Sequence, residues 1–347
     1  MIASFGGKLS GARLERARRS PQWREDRFQN PIPTRTLIPG SARAMLRQRL
    51  WGEQVRAPRR AVPVESRTAP DFDRRPATGL RATWMGHATV LLEIDGLRVL
   101  TDPVWSARVS PASFAGPKRF FDPPIALGEL PPVDAILISH DHYDHLDMAT
   151  AKALGAGGAA FLVPLGVGAH LEAWGVPGER IRELDWGEQA LLDSATFTMT
   201  PARHFSGRRL TDEGRTLWSS WVVASPRHRV FVCGDSGFFG GFREIGENHG
   251  PFDLTLISAG AYSSLWPMIH MTPEEVVRAH VDLRGELLLP IHWGTFNLAF
   301  HDWNEPAVRV SASAAERGVR AIFPRPGEMV EPARASDLPG VEWWREP

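Results

Sequence analysis

The clearest candidates for chemistry in this sequence are histidines and aspartates at a short, fixed spacing. Imidazole nitrogen and carboxylate oxygen suit zinc, and also iron or manganese, at roughly 2.0–2.2 Å from the ion. Two histidines two positions apart can project into one pocket, and a following Asp-His pair can serve a second ion nearby. With 12 histidines in 347 residues, such a spacing is rare by chance and predicts a metal site. The pattern is H-x-H-x-D-H, formed by His140, His142, Asp144 and His145.

Three more candidate ligands stand at the ends of short apolar runs, which indicate buried strands. The first cluster has the same context, because residues 133–138 form an apolar run before it. Ligands and catalytic groups of α/β proteins lie at the carboxyl ends of strands, so several such ends can assemble one site. We therefore expect these side chains to meet. The three are His204 after residues 197–200, Asp235 after residues 230–233, and His292 after residues 287–291.

The string Gly-Asp-Ser-Gly around Asp235 permits a second interpretation, because it also surrounds the nucleophile of chymotrypsin-like proteases. Such a protease needs a His/Asp pair in supporting contexts and is usually disulfide-bonded. This chain has one cysteine, Cys233, so an internal disulfide is excluded. We therefore interpret Asp235 as a metal ligand that bridges two ions.

The elements that must position these residues follow a mixed α/β pattern. Short strands alternate with short helices from residue 81 onward. Asp95-Gly96 predicts a two-residue hairpin turn between two of the strands. The expected class is α/β with many hairpins, and not a doubly wound parallel sheet. The first predicted strands are residues 82–85, 89–94 and 97–100, and the predicted helices after the metal cluster are residues 148–154 and 166–174.

Composition and charge exclude several classes of protein. Hydrophobic residues make up 43% and charged residues 23% of the chain, as in ordinary globular proteins. No run of about 18 apolar residues predicts a spanning helix, and the start of the chain lacks a signal-peptide pattern. The single cysteine fits a reducing compartment. We expect a cytoplasmic protein, either free or peripheral to the inner face of the membrane.

The division of charge predicts two regions, a basic N-terminal arm over residues 1–70 and one large hydrolase domain over residues 75–335. Residues 1–60 contain fourteen Arg or Lys and four Asp or Glu, although the whole chain has 40 residues of each sign. Charge separated in this way indicates that the two regions have different roles.

Two interpretations of the arm stay open. Residues 41–51 predict a short basic helix with Ser41 as its cap, and such a helix can lie on an anionic membrane surface. Alternatively, the arm wraps around the domain, with Trp23, Phe28 and Trp51 as anchors. No recognised nucleic-acid motif accompanies the positive charge, so a nucleic-acid partner is not expected.

Taken together, the motifs resemble the metallo-β-lactamase superfamily, and within it the N-acylphosphatidylethanolamine-hydrolysing phospholipase D family with its bacterial relatives. The resemblance extends over residues 81–306 and is weak over the first seventy residues. The matching stretches are WMGHAT (84–89), LTDPV (100–104), GPKRF (116–120), ISHDHYDHLD (138–147), ELDW (183–186), GAY (260–262), PEEVV (273–277) and IHWGTF (291–296).

The resemblance implies a four-layer αββα sandwich with a dinuclear site, occupied by two zinc ions or by iron or manganese. Asp102 is then expected to orient a ligand from behind, and His87 either does the same or is a buried structural residue. The implied ligands of one ion are His140, His142 and His204; those of the other are Asp144, His145 and His292; and Asp235 bridges the two.

His270 is the candidate for substrate contact or for protonation of the leaving group, since its position in the family lies near the reacting phosphodiester. The alternative is a surface histidine beside a helix, because Thr272 and Glu275 predict a capping box with Pro273 in the first turn. The chain departs from the family at Ile269 and at residues 263–267, where the family is more polar. These departures put the identity of the lipid in doubt.

The function implied is phosphodiester hydrolysis by a hydroxide held between two metals, with Asp144 and Asp235 taking part as ligands. An N-acylated phospholipid would then give phosphatidic acid and an N-acylethanolamine. The alternatives are a hydrolase of another ester, lactone or non-lipid bond, since one ligand set serves several chemistries, and a non-enzymatic protein that docks through its arm. The resemblance allows a homodimer and peripheral membrane contact.

Overall fold

The computed structural model describes residues 2–337 and 341–345. The arm contains more regular structure than the sequence predicts, because a helix at Gly11–Arg19 was not expected. The predicted helix at residues 41–51 is confirmed, although Gly40 rather than Ser41 is its N-cap. The elements of the arm are α1 (Gly11–Arg19), a hairpin of β1 (Trp23–Arg24) and β2 (Arg27–Phe28), and α2 (Ser41–Trp51).

The first large sheet has seven strands in the order β15-β3-β4-β5-β6-β7-β8. Its first half is an antiparallel meander, and β5 to β8 are parallel. The predicted turn is confirmed, because Asp95 and Gly96 both have positive φ and Ile94 pairs with Leu97. The strands are β3 (Leu80–Gly86), β4 (Thr89–Ile94), β5 (Leu97–Thr101), β6 (Ala135–Leu137), β7 (Ala160–Pro164), β8 (Ile181–Leu184) and β15 (Met329–Val330).

The second large sheet has six strands in the order β14-β13-β12-β11-β10-β9. Strands β9 to β12 are antiparallel, and β12 to β14 are parallel. The strands are β9 (Gln189–Leu192), β10 (Ala195–Thr200), β11 (Ser220–Ala224), β12 (Arg229–Val232), β13 (Leu254–Ser258) and β14 (Leu288–Ile291).

Two helices of the domain, α3 and α6, begin at side-chain caps. The Asp147 side chain accepts a hydrogen bond from Ala149 N at the start of α3. The predicted capping box of Thr272 and Glu275 is confirmed at the start of α6, with Pro273 in its first turn. The helices are α3 (Met148–Gly155), α4 (Gly168–Ala173), α5 (Gly241–His249), α6 (Pro273–Asp282) and α7 (Glu305–Glu316).

Three clusters of buried hydrophobic residues divide the molecule into four layers. A central cluster lies between the two sheets, and each of the other two lies between one sheet and its helices. Strand β4 shows the alternation that this requires, since Val90 and Leu92 belong to the central cluster and Leu91 to an outer one. The predicted αββα sandwich is therefore confirmed. One outer cluster contains Phe161 and Leu171 of α4, and the other contains Phe231 and Val276 of α6.

The arm packs against the sandwich through part of its length. Leu9, Ala17 and Phe28 are buried in the central cluster, so Phe28 is an anchor of the kind expected. Trp51 is not, because 72% of it is exposed at the end of α2. Among the residues that the structure describes, no helix has the length and apolar content needed to cross a membrane.

Candidate metal centre

The seven candidate ligands lie together at one edge of the sandwich, where strand ends of both sheets meet. The first cluster follows β6 of the first sheet, while the other three candidates follow β10, β12 and β14 of the second. Within the groups that they form, the ligand atoms lie within 4.8 Å of one another. One group is His140, His142, His204 and Asp235, and the other is His87, Asp144, His145 and His292.

The first group has the spacing expected around one ion. Nε2 of His140 is 2.8 Å from Nδ1 of His142, which is 3.3 Å from Nε2 of His204. Asp235 Oδ2 is 3.9 Å from the His140 nitrogen and 3.8 Å from the His204 nitrogen. Ligands at roughly 2.0–2.2 Å from a tetrahedral ion are about 3.3–3.6 Å apart. The four atoms therefore surround a space of about the right size.

The second group is equally compact. Nε2 of His145 and Nε2 of His292 are 3.1 Å apart. Asp144 Oδ2 is 3.5 Å from the His145 nitrogen and 3.3 Å from the His292 nitrogen. His87 Nε2 contacts the same Asp144 oxygen at 3.0 Å. His87 therefore lies beside a candidate ligand, where it can orient the Asp144 carboxylate or bind the ion itself.

Asp235 lies between the two groups. Its Oδ2 atom is 3.2 Å from His145 Nε2, and its Oδ1 atom is 3.1 Å from His292 Nε2. The same Oδ2 atom faces the His140 and His204 nitrogens of the first group. The carboxylate is 97% buried, so its negative charge needs positive partners close by. This is the position of a residue that can bridge two ions.

Hydrogen bonds behind the first cluster fix which ring nitrogen faces the site. The Ser139 hydroxyl donates to Asp102 Oδ2 at 2.7 Å and accepts from Nδ1 of His140 at 2.9 Å. Nδ1 of His145 donates to Asp102 Oδ2 at 2.8 Å. With the proton on Nδ1, the Nε2 lone pair of each ring faces the centre. Asp102 therefore holds the ring of His145, a candidate ligand, in the place that the resemblance implies.

The His204 ring is fixed in the same way, because its Nδ1 atom donates to the Ile269 carbonyl oxygen at 2.9 Å. The Nε2 atoms of His140 and His204 therefore each carry a lone pair, which can accept a hydrogen bond, and both face Nδ1 of His142. That atom carries at most one proton and can satisfy only one of them. A cation between the three nitrogens satisfies all of them, so the residues fit a bound metal ion.

The charges at the site also fit divalent cations. Burial lowers the pKa of His140 and of His204 well below the ordinary value, which keeps both rings neutral and able to bind metal. Burial also lowers the pKa of His145, but the Asp235 and Asp144 carboxylates raise it by more, so that it ends well above its usual range. The carboxylates thus create a demand for positive charge that metal ions would meet.

Three residues of the site have left-handed backbone conformations. The φ angles are +54° at His87, +34° at Asp102 and +65° at His292. Such angles cost of order 1–3 kcal/mol each for residues other than glycine and occur most often at functional sites. The backbone is held there by hydrogen bonds, since Thr295 Oγ1 accepts from His87 N at 2.7 Å and the His87 carbonyl accepts from His292 N at 2.9 Å.

His270 lies in the site and not on the surface beside α6. Its side chain is 12% exposed, and its Nδ1 atom is 4.0 Å from Asp235 Oδ2. That nitrogen is buried and has no hydrogen-bond partner among the residues that the structure describes, and the ring stacks at 5.7 Å on the ring of His292. His270, Asp235 and His292 form a third compact group of ligand atoms. The residue can therefore contact a molecule bound at the centre.

Two residues of the site were not identified from the sequence. Ser139 directly precedes the first cluster, and only its bonds to Asp102 and His140 show what it does. Phe205 packs its ring 4.6 Å from that of His142 and 4.9 Å from that of His204. Its position directly after a candidate ligand was the only signal in the sequence.

Comparison with known proteins places the chain in a family. A family model described as a beta-lactamase superfamily domain matches residues 97–293. A Mycobacterium tuberculosis protein named only as uncharacterised is 48% identical over 349 residues, which covers 99% of this chain and 92% of that protein. N-acyl-phosphatidylethanolamine-hydrolyzing phospholipase D 1 of Caenorhabditis elegans is 41% identical over 247 residues, which covers 68% of this chain and 69% of that protein.

A solved structure shares the fold. The isothiocyanate hydrolase from Delia radicum gut bacteria superposes with a TM-score of 0.59 at 20% identity, over 72% of this chain and 98% of that chain. The family match, the sequence relatives and the shared fold agree with the convergent histidines and aspartates. The chain therefore belongs to the beta-lactamase superfamily and is a metal-dependent hydrolase of the metallo-β-lactamase fold, related to N-acylphosphatidylethanolamine-hydrolysing phospholipase D.

Proposed function

We propose that this chain is a dinuclear, zinc-dependent phosphodiesterase that hydrolyses a phospholipid such as an N-acylphosphatidylethanolamine. The observation that carries the proposal is the pair of ligand groups on either side of Asp235, whose carboxylate reaches both. Paired metal sites are a common solution for phosphodiester hydrolysis. The name of the Caenorhabditis elegans relative supports a phospholipid substrate.

The proposed ligand sets follow the two groups. The set contains nitrogen and oxygen atoms but no thiolate, which suits zinc and also allows iron or manganese. Asp102 orients His145, and His87 orients Asp144. One ion is held by His140, His142 and His204, the other by Asp144, His145 and His292, and Asp235 is shared.

The proposed reaction adds water across a phosphodiester. When bound, two divalent ions supply a nucleophilic water at neutral pH and neutralise charge on the phosphoryl oxygens. The water oxygen bonds to phosphorus, the bond from phosphorus to the headgroup oxygen breaks, and that oxygen takes up a proton. The products are phosphatidic acid and an N-acylethanolamine. The chain itself contributes Ser139 and Asp102, which keep the ring nitrogens in place throughout the reaction.

His270 is proposed to contact the substrate near the departing oxygen. Its free Nδ1 atom lies on the Asp235 side of the centre, close enough for a bound phosphodiester to reach. We expect His270→Gln to lower kcat about 10²-fold or more, as loss of a proton-transfer or hydrogen-bonding group does, with unchanged metal content. Normal turnover in that variant would remove His270 from the mechanism.

Peripheral membrane contact is proposed for α2. The helix exposes the apolar side chains of Leu46, Leu50 and Trp51 and the cationic side chain of Arg47. Helices that bind at a membrane surface combine apolar and cationic side chains in this way. Met45 is half-buried and packs against the cluster of Trp266, Ile269 and Ala299, against which Phe205 also packs. Vesicle flotation with and without anionic lipid tests the contact. The homodimer implied by the resemblance stays a prediction, to be checked by light scattering.

The activity is tested with purified protein on N-acylphosphatidylethanolamine and on bis-p-nitrophenyl phosphate, with product identification. Phosphatidic acid as the product, and turnover of both substrates, is the expected result. Cleavage of the small diester alone would keep the phosphodiesterase and exclude the lipid. A free carboxylate as the product, or turnover only of an ester and lactone panel, would replace the proposal by the second hydrolase class.

A further inference from the structure

A cavity of about 440 Å³ lies between the N-terminal arm and the metal centre. The arm contributes residues 24 and 27–36 to its lining, and the domain contributes His204, Phe205 and Trp218. His204 is a proposed metal ligand, and Phe205 packs against the rings of His204 and His142. The cavity therefore adjoins the centre on the His204 side. We call it the arm cavity.

The arm is fixed in this position by specific hydrogen bonds. Asn30 Nδ2 donates to the carbonyl oxygen of His204 at 2.7 Å, and Phe28 N donates to the Gly214 carbonyl oxygen at 2.8 Å. The Arg203 guanidinium donates to the Pro33 carbonyl oxygen at 3.0 Å. These bonds join the arm to the loop that carries a metal ligand. The walls of the cavity are therefore held in place by hydrogen bonds between the arm and the domain.

The lining of the arm cavity is positively charged. Arg24, Arg27 and Arg35 all line it, against a single acidic residue, Glu213. Within residues 2–337 and 341–345, none of these three guanidinium groups forms an ion pair. Several other arginines of the arm are paired, as Arg13 is with Glu172 at 2.8 Å. Unpaired arginines around a concave surface favour an anionic group.

The cavity also offers apolar and neutral polar surface. Phe205 is half-buried, and Phe28 and Trp218 are almost fully buried in its walls. Asn30 Oδ1 is a buried acceptor with no partner in the described part of the chain, so it can receive a hydrogen bond from a bound molecule. A ligand with a neutral polar portion and an anionic group would use all of these features.

We propose that the arm cavity is a substrate subsite that binds a second anionic group, a carboxylate or a phosphate, on the headgroup of the phosphodiester being cleaved. The inference rests on the proposed function and narrows its substrate class. The preferred substrate is a phospholipid whose headgroup carries an additional negative charge, and N-acylphosphatidylethanolamine lacks such a charge. Arg27 and Arg35 select between headgroups, because they bind the second anionic group and not the phosphodiester that is cleaved.

The test compares substrates that differ by one anionic group. N-acylphosphatidylserine is paired with N-acylphosphatidylethanolamine to test a carboxylate, and phosphatidylinositol 4-phosphate is paired with phosphatidylinositol to test a phosphate. We expect kcat/KM to favour the more anionic member of at least one pair about tenfold, the effect of one charged hydrogen bond. Arg27→Gln with Arg35→Gln should bring that ratio close to one. Arg19→Gln, an exposed arginine of α1 outside the cavity, is the matched control and should leave it unchanged.

Equal rates within both pairs would overturn the inference, as would a preference that the double variant retains. A preference lost equally in Arg19→Gln would also overturn it, because total charge and not the cavity would then be responsible. A calorimetric titration with O-phosphoserine and O-phosphoethanolamine separates this inference from the proposed activity. If no lipid is cleaved but O-phosphoserine binds more tightly by way of Arg27 and Arg35, the subsite stands and the lipid activity fails. Binding of both compounds that is unchanged in the Arg27→Gln, Arg35→Gln variant would remove the subsite.

Discussion

At the scale of single residues, the candidate ligands are held in place by hydrogen bonds from groups behind them. Asp102 accepts hydrogen bonds from Ser139 N, from the Ser139 hydroxyl and from Nδ1 of His145 at 2.7–2.8 Å. Since Asp102 follows β5 and Ser139 follows β6, these bonds join the ends of two neighbouring strands of the first sheet to the ring of His145. Groups in this position commonly change metal affinity by 10–100-fold, on the order of the effect of a weak ligand.

Asp102→Asn is expected to lower metal affinity about 10–100-fold, because the amide cannot stabilise the His145 ring as the carboxylate does. The measurement is competition with a chelator of known affinity. Asp193→Asn is the matched control, since Asp193 is exposed in a turn remote from the ligands and its φ of +48° suits asparagine. Equal affinity in Asp102→Asn and the control would show that Asp102 does not position a ligand.

The candidate ligands were identified from their spacing, and the resemblance implied Asp102 as a support, but Ser139 was not identified from the sequence. His140, His142 and Asp144 have a spacing and residue types that few non-metal sites share. Ser139 is an ordinary serine in sequence, and its role depends on which ring nitrogen carries a proton. That choice depends on partners far along the chain, since Asp102 is 37 residues from Ser139 and 43 residues from His145, so a local pattern cannot reveal it.

At the scale of elements, Arg208 joins the loop after β10 to the loop that carries the first ligand cluster. Its buried guanidinium donates to the carbonyl oxygens of Asp141 at 2.6 Å and Leu146 at 2.9 Å. The group lies between two rings, 4.0 Å from the centroid of Tyr143 and 5.0 Å from that of Trp174. Arg208 therefore fixes the backbone on both sides of residues 142–145, which include three candidate ligands.

Arg208→Met is expected to destabilise the protein by about 2–4 kcal/mol, because two buried carbonyl groups lose their donor while the side-chain volume is kept. The free energy of unfolding in urea gives the value. Arg18→Met serves as the control, since 57% of the Arg18 side chain is exposed. A loss in Arg208→Met no larger than in the control would show that the loop does not need this contact.

A second element-scale prediction concerns pH. Burial lowers the pKa of His280, in α6, to about 4, and its Nδ1 atom is 2.8 Å from the Thr255 hydroxyl in β13. The unfolded chain takes up the proton below about pH 6.5, before the folded protein does. Stability contributed by this site is therefore complete above pH 6.5 and is lost as the pH falls to about 4, by about 3 kcal/mol at most.

His280→Gln should remove that part of the pH dependence. Denaturation at several pH values between 4 and 7 gives the comparison. The difference in unfolding free energy between wild type and variant is expected to shrink as the pH falls. A difference that stays constant over this range would show that His280 is protonated equally in the folded and unfolded states.

Elements with strong local patterns were predicted well, and those defined by long-range packing were not. Strands β4 and β5 are short, mainly apolar runs with an Asp-Gly turn between them. Helix α1 has no such pattern, because it buries only Ala17 and its arginines reach acidic residues far along the chain, such as Glu183 from Arg13. Its environment is created by the folded domain, so the sequence of the arm alone does not predict it.

At the scale of the whole molecule, the two sheets supply different parts of one site. The first sheet carries the histidine-rich loop after β6, and the second carries His204, Asp235 and His292 at three strand ends. The arm then crosses the edge where they meet and forms the arm cavity. The sandwich, the shared edge and the ligand set were expected from the sequence, while the position of the arm against His204 was not.

The central claim is that two metal ions share Asp235, and elemental analysis of the dialysed protein tests it most directly. Wild type is expected to contain two transition-metal ions per chain, with zinc as the main metal. Asp235→Asn keeps the size of the side chain but removes the shared charge, so it should lose at least one ion per chain along with phosphodiesterase activity. One ion per chain in wild type, or two ions and full activity in Asp235→Asn, would contradict the account.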